Sequence, residues 1–451
     1  MKIPLSPPLV TSVLQSLSSE EMVELMDLRS PLVGGNYMHW DRLRHRTPPA
    51  GRKLEYWWAG LKLARMGLLR PLPLLDKNGK PFLFGTPEPV LVHLHHIDRD
   101  AGGQIKAPAN LFLSDHQTPY LVNSLIEEAI TSSQLEGAST TRKVAEAMLR
   151  AGRKPTDHSE TMIYNNYLAM ERIREIKHEP ITAERILELH RTLTDGTLED
   201  AEDAGRFRQS DDVRVVDHRD NTILHQPPDH AELPARLNRL CAFANADEKS
   251  TPFVHPVVRA ILLHFMIGYD HPFVDGNGRT ARAVFYWSLA RAGYWLLEFV
   301  SISALLRKAP AQYVRAYLYT ETDEGDTTYF LLHQLAVIRQ ATENLHAYLA
   351  HVAKEQQNTE QLLAASESLR SHLNHRQVVL ITHALKHPGE KYFVDAHQRT
   401  HGVVYQTART DLLKLASLGL LHQGRSGRAF QFTAPDDLKD RIAAFTLEGA
   451  T

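Results

Sequence analysis

Cysteine is nearly absent from this sequence, because Cys241 is the single one among 451 residues. One thiol cannot close an internal disulfide or build a thiolate zinc cluster, which excludes a disulfide-stapled scaffold and indicates a reducing compartment. No run of about 20 apolar residues occurs, so a membrane span is not expected. The start, Met1 to Pro4, also lacks the apolar stretch of a signal peptide. We therefore expect a soluble, cytoplasmic protein without a membrane partner.

The net charge is also small, a formal −2 with histidine counted as neutral. Nothing global therefore favours nucleic acid or an anionic membrane, and any such partner must bind a local patch. Hydrophobic residues make up 43% and charged residues 23%, which is typical of a globular protein with a sizeable core. The length allows two or three domains.

The expected organisation has four segments. Residues 1–110 form a mixed N-terminal accessory region, 111–349 the main domain, 350–373 a linker, and 374–451 a smaller C-terminal domain with a tail. Asn78 and Gly79 predict a hairpin turn in the first segment. The nearby histidines are interpreted as the polar edge of a strand rather than as a metal site; they are His93, His95 and His96.

The main domain is predicted to be mainly α-helical, because apolar residues recur at three- and four-residue spacing from Leu121 to Leu289. A β-hairpin interrupts this pattern, with strands at 213–216 and 222–224. In the C-terminal segment, a helix at 378–385, a strand, a short helix, a helix at 403–418 and a final strand pair resemble a winged helix-turn-helix domain.

The segment from His271 onwards has the features of an anion-binding loop. Pro272 disfavours helical geometry at the residue before it, so a helix should end at His271. Gly276 and Gly278 permit close backbone approaches. The loop then opens onto the N-terminus of the next helix, where unpaired N–H groups favour an anion.

Four side chains around this loop add chemistry to it. His271 is a titratable base, and Asp275 is a hard oxygen ligand suited to Mg²⁺. Arg279 and Arg282 are three residues apart, so both guanidinium groups can lie on one helix face. A base, a metal-binding carboxylate, an anion-binding loop and two arginines together indicate phosphoryl or nucleotidyl transfer.

Residues 271–282 match, at every specified position, the Fic family motif His-x-Phe-x-(Asp/Glu)-Gly-Asn-Gly-Arg-x-x-Arg. The chain therefore resembles the Fic family, with residues from about Tyr120 to Leu349 as the helical core. The resemblance implies a protein adenylyltransferase that moves AMP from ATP to a Ser, Thr or Tyr hydroxyl of a target protein or of itself. The implied roles are general base for His271, Mg²⁺ ligand for Asp275, α-phosphate binding for Gly276, Asn277 and Gly278, and β- and γ-phosphate binding for Arg279 and Arg282.

Further positions follow from the same resemblance. Phe273 is expected to pack in the core, and Gly278 stands where kinase-like Doc members have lysine, which favours AMP transfer. The hairpin at 213–224 resembles the family's flap, which docks a target segment by strand pairing. The flap residues proposed to bind the target are Val213, Arg214, Val215 and Val216, and Tyr313 is a candidate for the border of the nucleotide base.

The resemblance to the Fic family extends upstream, where residues 132–137 match the family's inhibitory pattern (Ser/Thr)-x-x-x-Glu-(Gly/Asn). It places Glu136 at the end of a helix that Gly137 terminates. A carboxylate is disfavoured there by the helix dipole and gains from a cationic partner. We expect Arg282 to be that partner, so that Glu136 inhibits the enzyme.

Two alternatives stay open. A Fic-fold transferase could use another donor, such as UTP, GTP or CDP-choline, since motifs do not specify the base. The chain could instead be a DNA-binding regulator, because residues 374–432 hold eight Lys or Arg against three Asp or Glu. The basic candidates for DNA contact are Arg409, Lys414, Arg425 and Arg428. The target protein and any homo-oligomer are not specified by the sequence.

Overall fold

The structure is a computed structural model, and it describes residues 2–102, 114–217, 219–247, 249–364, 373–426 and 429–448. These residues are mainly helical with three small sheets, as predicted. They divide into two compact units. Within the described residues, no helix combines the length and the apolar character that a membrane crossing needs.

The first unit contains the described residues within 1–103, 127–140 and 155–342. Its β1–β2 and β3–β4 pairs are both antiparallel. Its elements, with the helices that extend beyond these limits given in full, are α1 Val10–Gln15, α2 Ser19–Asp27, α3 Trp40–Leu43, α4 Leu54–Met66, β1 Leu69–Leu75, β2 Pro81–Gly85, α5 Glu88–Ile97, α6 Ser114–Leu135, α8 His158–Ile176, α9 Ala183–Thr194, β3 Val215–Asp217, β4 Thr222–His225, α10 Leu233–Ala244, α11 Pro256–Asp270, α12 Asn277–Arg291, α13 Ile302–Lys308, α14 Pro310–Thr322 and α15 Thr328–Ala364.

The centre of the first unit is the helix pair α11 and α12, which pack against each other. Both helices are buried on nearly every side, with Leu262, Phe265 and Trp287 fully enclosed. This enclosure places both helices in the core of the unit. The loop that joins α11 to α12 is therefore held on a rigid base.

A buried charged cluster fixes the N-terminal region within this unit. Lys62 donates to Asp323 Oδ1 at 2.7 Å, and Arg65 donates to the hydroxyl of Tyr329 at 2.9 Å. Tyr329 in turn donates to Asp323 Oδ2 at 2.7 Å. We call Lys62, Arg65, Asp323 and Tyr329 the N-terminal charge cluster. Residues predicted as an accessory region are thus packed into the same compact unit as the α14–α15 segment.

The N-terminal predictions were right for the hairpin and wrong for the histidines. Strands β1 and β2 flank a turn in which Gly79 has φ +78°. The three histidines lie on helix α5 rather than on a strand edge. Its apolar residues Val90, Leu94 and Ile97 are buried at helical spacing, and this periodicity outweighs the strand propensity of the segment.

The second unit contains the described residues within 104–126, 141–154 and 343–451. Its core includes Ile381, Leu412 and Phe432. The strand order is β5-β7-β6, and both pairs are antiparallel. Besides the parts of α6 and α15 in these ranges, its elements are α7 Arg142–Ala151, α16 His375–Lys386, β5 Lys391–Phe393, α17 Val394–His401, α18 Tyr405–Ser417, β6 His422–Ser426, β7 Ala429–Thr433 and α19 Leu438–Glu448.

The helices and strands after residue 373 occur in the predicted order, while the winged helix-turn-helix assignment itself stays a prediction. Two boundaries differ from those expected. Helix α15 continues to Ala364 and so occupies the first part of the segment 350–373 that was predicted as a linker. Helix α7 and the described part of 104–126 group with the C-terminal residues, although they were placed in the main domain. Arg428, a candidate for DNA contact, lies outside the described residues.

Candidate active site

The loop between α11 and α12 has a backbone that its sequence explains. His271 ends α11 in a left-handed conformation with φ 43° and ψ 59°. Gly276, with φ +79°, caps the N-terminus of α12. A Cβ added at Gly276 would lie 2.7 Å from Cγ2 of Thr194, so both its backbone angle and its surroundings require glycine. The predicted helix end at His271 is confirmed.

His271 is held as a neutral base. Its Nδ1 lies 2.7 Å from the carbonyl oxygen of Gly268. Because a carbonyl only accepts, Nδ1 carries the proton and Nε2 keeps its lone pair. Burial lowers the pKa of His271, and this effect outweighs the Gly268 hydrogen bond, which raises it. At neutral pH the imidazole is therefore able to accept a proton.

Asn277 stabilises the loop through its side chain. Its Oδ1 accepts from the backbone N–H of Phe273 at 3.0 Å, and its Nδ2 donates to the carbonyl of Phe273 at 2.8 Å. The ring of Phe273 is fully buried and stacks on His190, with centroids 3.7 Å apart. Phe273 thus packs in the core as predicted, whereas the side chain of Asn277 serves the loop itself.

The two arginines of the motif have different partners. Arg279 donates to the carbonyl oxygen of Leu193 at 2.9 Å and to Asp275 Oδ2 at 3.0 Å. The side chain of Arg279 is fully buried, while that of Asp275 is 56% exposed. Arg282 points to α6 and donates to Ser132 Oγ at 2.8 Å. The guanidinium groups therefore do not form a joint phosphate clamp in this structure.

Glu136 lies where the sequence predicted it. Its Oε1 accepts from Arg282 at 2.9 Å, just beyond the end of α6, and Gly137 has φ +98°. A Cβ added at Gly278 would lie 2.1 Å from the same Oε1. The carboxylate of Glu136 therefore rests directly on the first turn of α12, at the end of a helix that attracts anions.

The predicted flap is shorter than expected. Strand β3 begins at Val215, so Val213 and Arg214 precede it, while Val215 and Val216 lie within it. The strand pairs with β4, and no other described strand pairs with β3.

Two residues of this site had no role predicted from the sequence. His190 receives the backbone N–H of Gly205 on Nδ1 and, through Nε2, donates to the carbonyl of Asp275, both at 2.9 Å. Burial lowers the pKa of His190 to about 4, so the ring stays neutral. Arg208 is buried and contacts the carbonyl of His271. The sequence does not show which groups these two side chains contact, and only the fold shows it.

Tyr313 is half-buried, and its hydroxyl lies 2.7 Å from Nε2 of His264. The same hydroxyl is 3.5 Å from that of Tyr317. Burial lowers the pKa of His264 well below its ordinary value. The histidine therefore fixes the tyrosine ring beside α11, and a role for Tyr313 at a nucleotide base stays a prediction.

The residues present fit a Mg²⁺ ion bound together with phosphate. Asp275 is largely exposed, and only its Oδ2 accepts from Arg279, which leaves Oδ1 for a hard cation. Mg²⁺ is commonly held by one or two carboxylates plus substrate phosphates and water. A different group, formed by Asp211, Asp229 and His230, also brings three metal-ligand atoms within 4.8 Å of one another.

Residues 180–289 match the Fic/DOC family. The protein adenylyltransferase Fic of Drosophila melanogaster is 36% identical over 157 residues, which cover 34% of this chain and 29% of the fly protein. The protein of the same name from Nematostella vectensis is 34% identical over 169 residues, 36% of this chain and 37% of that protein. The chain thus spans about a third of the length of the curated relatives it matches. The resemblance to the Fic/DOC family is confirmed over residues 180–289.

Solved structures of Fic proteins are also similar to the chain. A Fic family protein from Desulfovibrio desulfuricans G20 has a TM-score of 0.49 and 17% identity, over 77% of this chain and 96% of that one. A Fic domain containing signaling protein from Bacteroides thetaiotaomicron VPI-5482 has a TM-score of 0.45 and 18% identity, over 57% and 94%. The family assignment rests on the sequence matches rather than on these scores.

Proposed function

We propose that the chain is a protein adenylyltransferase that transfers AMP from ATP to a Ser, Thr or Tyr hydroxyl of a target protein or of itself. The observation that carries this proposal is the neutral base His271 at the edge of the anion-binding loop, with its Nε2 lone pair available. The curated relatives with the same domain are named as adenylyltransferases, which supports the reaction type.

In the proposed reaction the target's hydroxyl oxygen attacks the α-phosphorus of ATP. The hydroxyl proton passes to Nε2 of His271 as the new P–O bond forms. The bond from the α-phosphorus to the oxygen that bridges to the β-phosphate breaks. Pyrophosphate leaves, and the target carries AMP as a phosphodiester. The backbone of Gly276, Asn277 and Gly278 would receive the α-phosphate at the N-terminus of α12, where negative charge is favoured.

We assign Asp275 as the Mg²⁺ ligand, and Arg279 as the residue that orients it. Arg279 is fully buried and bonded to Asp275 Oδ2, so its direct contact with phosphates is no longer part of the proposal. Bound Mg²⁺ would neutralise charge on the α- and β-phosphates. Arg282 keeps the role of γ-phosphate ligand once Glu136 has left it.

Glu136 is proposed to inhibit the enzyme by occupying Arg282 and the first turn of α12. Its carboxylate is an anion placed at an anion site, and it excludes phosphate there by both charge and volume. Without a hold on the γ-phosphate, ATP would bind with its α-phosphate out of line with the target hydroxyl. The flap residues Val215 and Val216 are proposed to pair with the target segment that carries the hydroxyl.

A second function, DNA binding by the C-terminal residues, is favoured by one specific observation. The guanidinium carbons of Arg409 on α18 and Arg425 on β6 lie 5.3 and 5.7 Å from the ring of Phe430. Two cations on one ring repel each other, and a phosphate between them would relieve that repulsion. Lys414 is exposed on the same helix, α18. A gel shift that weakens steeply with salt, and that Arg409→Ala plus Arg425→Ala abolishes, tests this function.

The reaction itself is tested by incubating the full chain carrying Glu136→Gly with Mg²⁺ and a labelled donor. Parallel samples receive ATP, GTP, UTP or CDP-choline, and mass spectrometry of the protein identifies the group attached. We expect a mass increase of one AMP from ATP. Transfer from another donor in its place would show that the fold is right and the donor assignment wrong.

A further inference from the structure

Arg208 is a buried cation whose donors converge on the loop that carries His271. The residue is 1% exposed. Its backbone N–H donates to the carbonyl of Pro272, and its Nε donates to the carbonyl of His271, both at 2.9 Å. Two neighbouring carbonyls on one side of the proposed base are thus held by one residue.

The carbonyl of His271 needs such a partner. It follows the last residue of α11, where carbonyl oxygens have no backbone N–H donor within the helix and where the dipole favours a cation. His271 also has φ 43°, which is uncommon for a residue with a side chain. A non-glycine residue in this region typically costs about 1–3 kcal/mol and persists only where its surroundings over-determine it.

The remaining donors of Arg208 reach both ends of the flap. One terminal nitrogen donates to the carbonyl of Ser210 and to Asp211 Oδ1, each at 2.7 Å, on the side that precedes β3. The other donates to the carbonyl of Pro228, which follows β4. The guanidinium therefore joins the start of the flap, its end and the base in a single set of hydrogen bonds.

We infer that Arg208 is a positioning residue that holds His271 in its left-handed conformation and aligns it with the flap on which the target docks. The inference rests on the proposed function, since it assigns to Arg208 a part in that same reaction. A base misplaced by about 1 Å can cost two orders of magnitude in rate. A residue that fixes base and docking strand together determines whether the bound hydroxyl meets Nε2.

Geometry and charge at His271 can be separated by two substitutions. Burial lowers the pKa of His271 most, the Gly268 carbonyl and Glu136 raise it, and His225 and the cation Arg208 lower it further. Arg208→Lys keeps the charge and loses the planar fork of donors, whereas Arg208→Gln loses both. Removing the cation raises the pKa of His271, so protons inactivate the base up to a higher pH.

The test uses the full chain with Glu136→Gly, so that the inhibitory carboxylate does not limit the rate. Arg208→Lys and Arg208→Gln are expected to lower kcat for AMP transfer by roughly tenfold to a hundredfold with little change in ATP affinity. The acid limb of the pH–rate profile should move to higher pH in Arg208→Gln and stay in place in Arg208→Lys. Arg206→Gln is the matched control, because Arg206 is 43% exposed and pairs with Asp203.

The outcomes separate this inference from the proposed function. If Glu136→Gly transfers no nucleotide, or if adding His271→Ala leaves transfer unchanged, the proposed function itself fails. If that protein is active and depends on His271 while Arg208→Lys keeps full kcat, the function stands and the positioning role is overturned. An identical shift of the acid limb in both Arg208 variants would show that the charge of Arg208 is not what lowers the pKa of His271.

A second variant keeps the test decisive where the buried substitution prevents folding. Asp211 is exposed and accepts from Arg208, and this bond is the first cause of the lowered pKa of Asp211. Asp211→Asn weakens the anchor of the guanidinium without emptying its site. We expect kcat to fall about threefold with unchanged ATP affinity, since a slightly loosened base loses alignment. An unchanged kcat in this variant, with Arg208→Lys unfolded, would overturn the inference.

Discussion

The α11–α12 loop and the N-terminal charge cluster are both sets of charged groups in the same compact unit, and they differ in where their residues come from. The loop takes its groups from twelve consecutive residues, 271–282. The cluster joins Lys62 to Asp323, 261 residues further along, and Arg65 to Tyr329, 264 residues further along. Asp275 in the loop stays largely exposed, whereas Lys62 and Asp323 are both buried.

This difference separates two uses of buried charge. Groups that bind a small molecule leave some of their donor or acceptor atoms for the ligand. They lie close together in the sequence, so they form a recognisable motif. Groups that serve the fold satisfy one another across the chain and leave no periodic or local trace. We therefore expect substitutions in the loop to change rates with little change in stability, and substitutions in the cluster to do the reverse.

The largest effect is expected from His271→Ala, which removes the proposed general base. Loss of such a base typically lowers the rate about 10²–10⁴-fold. ATP affinity, measured by calorimetry, and the melting temperature should change little. His95→Ala on the exposed face of α5 is the control. If the variant labelled itself as fast as its parent, His271 would not be the general base.

Lys62→Met should affect stability strongly and catalysis weakly. The substitution leaves the carboxylate of Asp323 buried without its cation, and breaking a buried pair typically costs about 3–5 kcal/mol. Urea unfolding of the full chain measures this loss. Lys53→Met at the exposed start of the same helix should stay within about 0.5 kcal/mol. Normal stability combined with lost activity would assign the cluster to function instead.

Asp275→Ala should remove most of the transfer activity together with its dependence on Mg²⁺. Asp275 offers the exposed carboxylate of the loop, and Arg279 loses one partner in the variant. Rates are measured over a titration of Mg²⁺ at fixed ATP. Asp211→Ala tests the other potential metal-ligand group and should leave the Mg²⁺ dependence intact. Full Mg²⁺-stimulated transfer by Asp275→Ala would move the metal site elsewhere.

The smallest of these effects is a gain. Glu136→Gly should raise self-modification and target labelling by about tenfold or more, because positioning of the phosphates then becomes possible. Combining it with Arg282→Ala should return the rate to a low level, since the glutamate acts through that arginine. Equal labelling by the parent and Glu136→Gly at saturating Mg·ATP would show that Glu136 only ends a helix.

The sequence was sufficient for several elements that a local pattern encodes. The end of α11 follows from His271 before Pro272, and the pairing of Glu136 with Arg282 follows from two motifs read together. The long helix α11 was recognisable by its apolar spacing. Such features depend on neighbouring residues, so the chain need not be folded to reveal them.

The other contacts of the site could be found only in the folded structure. His190 supports Asp275 from 85 residues away, and Arg208 reaches His271 from 63 residues away. Neither contact can be inferred from a local pattern, because each forms only when α9 and the segment before β3 pack near the loop. The separate roles of Arg279 and Arg282 were also hidden, because helical spacing places two residues on one face without specifying which groups each one meets.

The close approach of Glu136 to Gly278 restricts how activity could be gained in a selection or a deep mutational scan. A single methyl group at position 278 would displace the carboxylate, but it would itself stand over the first turn of α12, where the nucleotide's phosphate is proposed to bind. Variants of Gly278 should therefore score as inactive. Hyperactive variants should map to the end of α6, at Ser132 and Glu136, and the loop should contribute none of them.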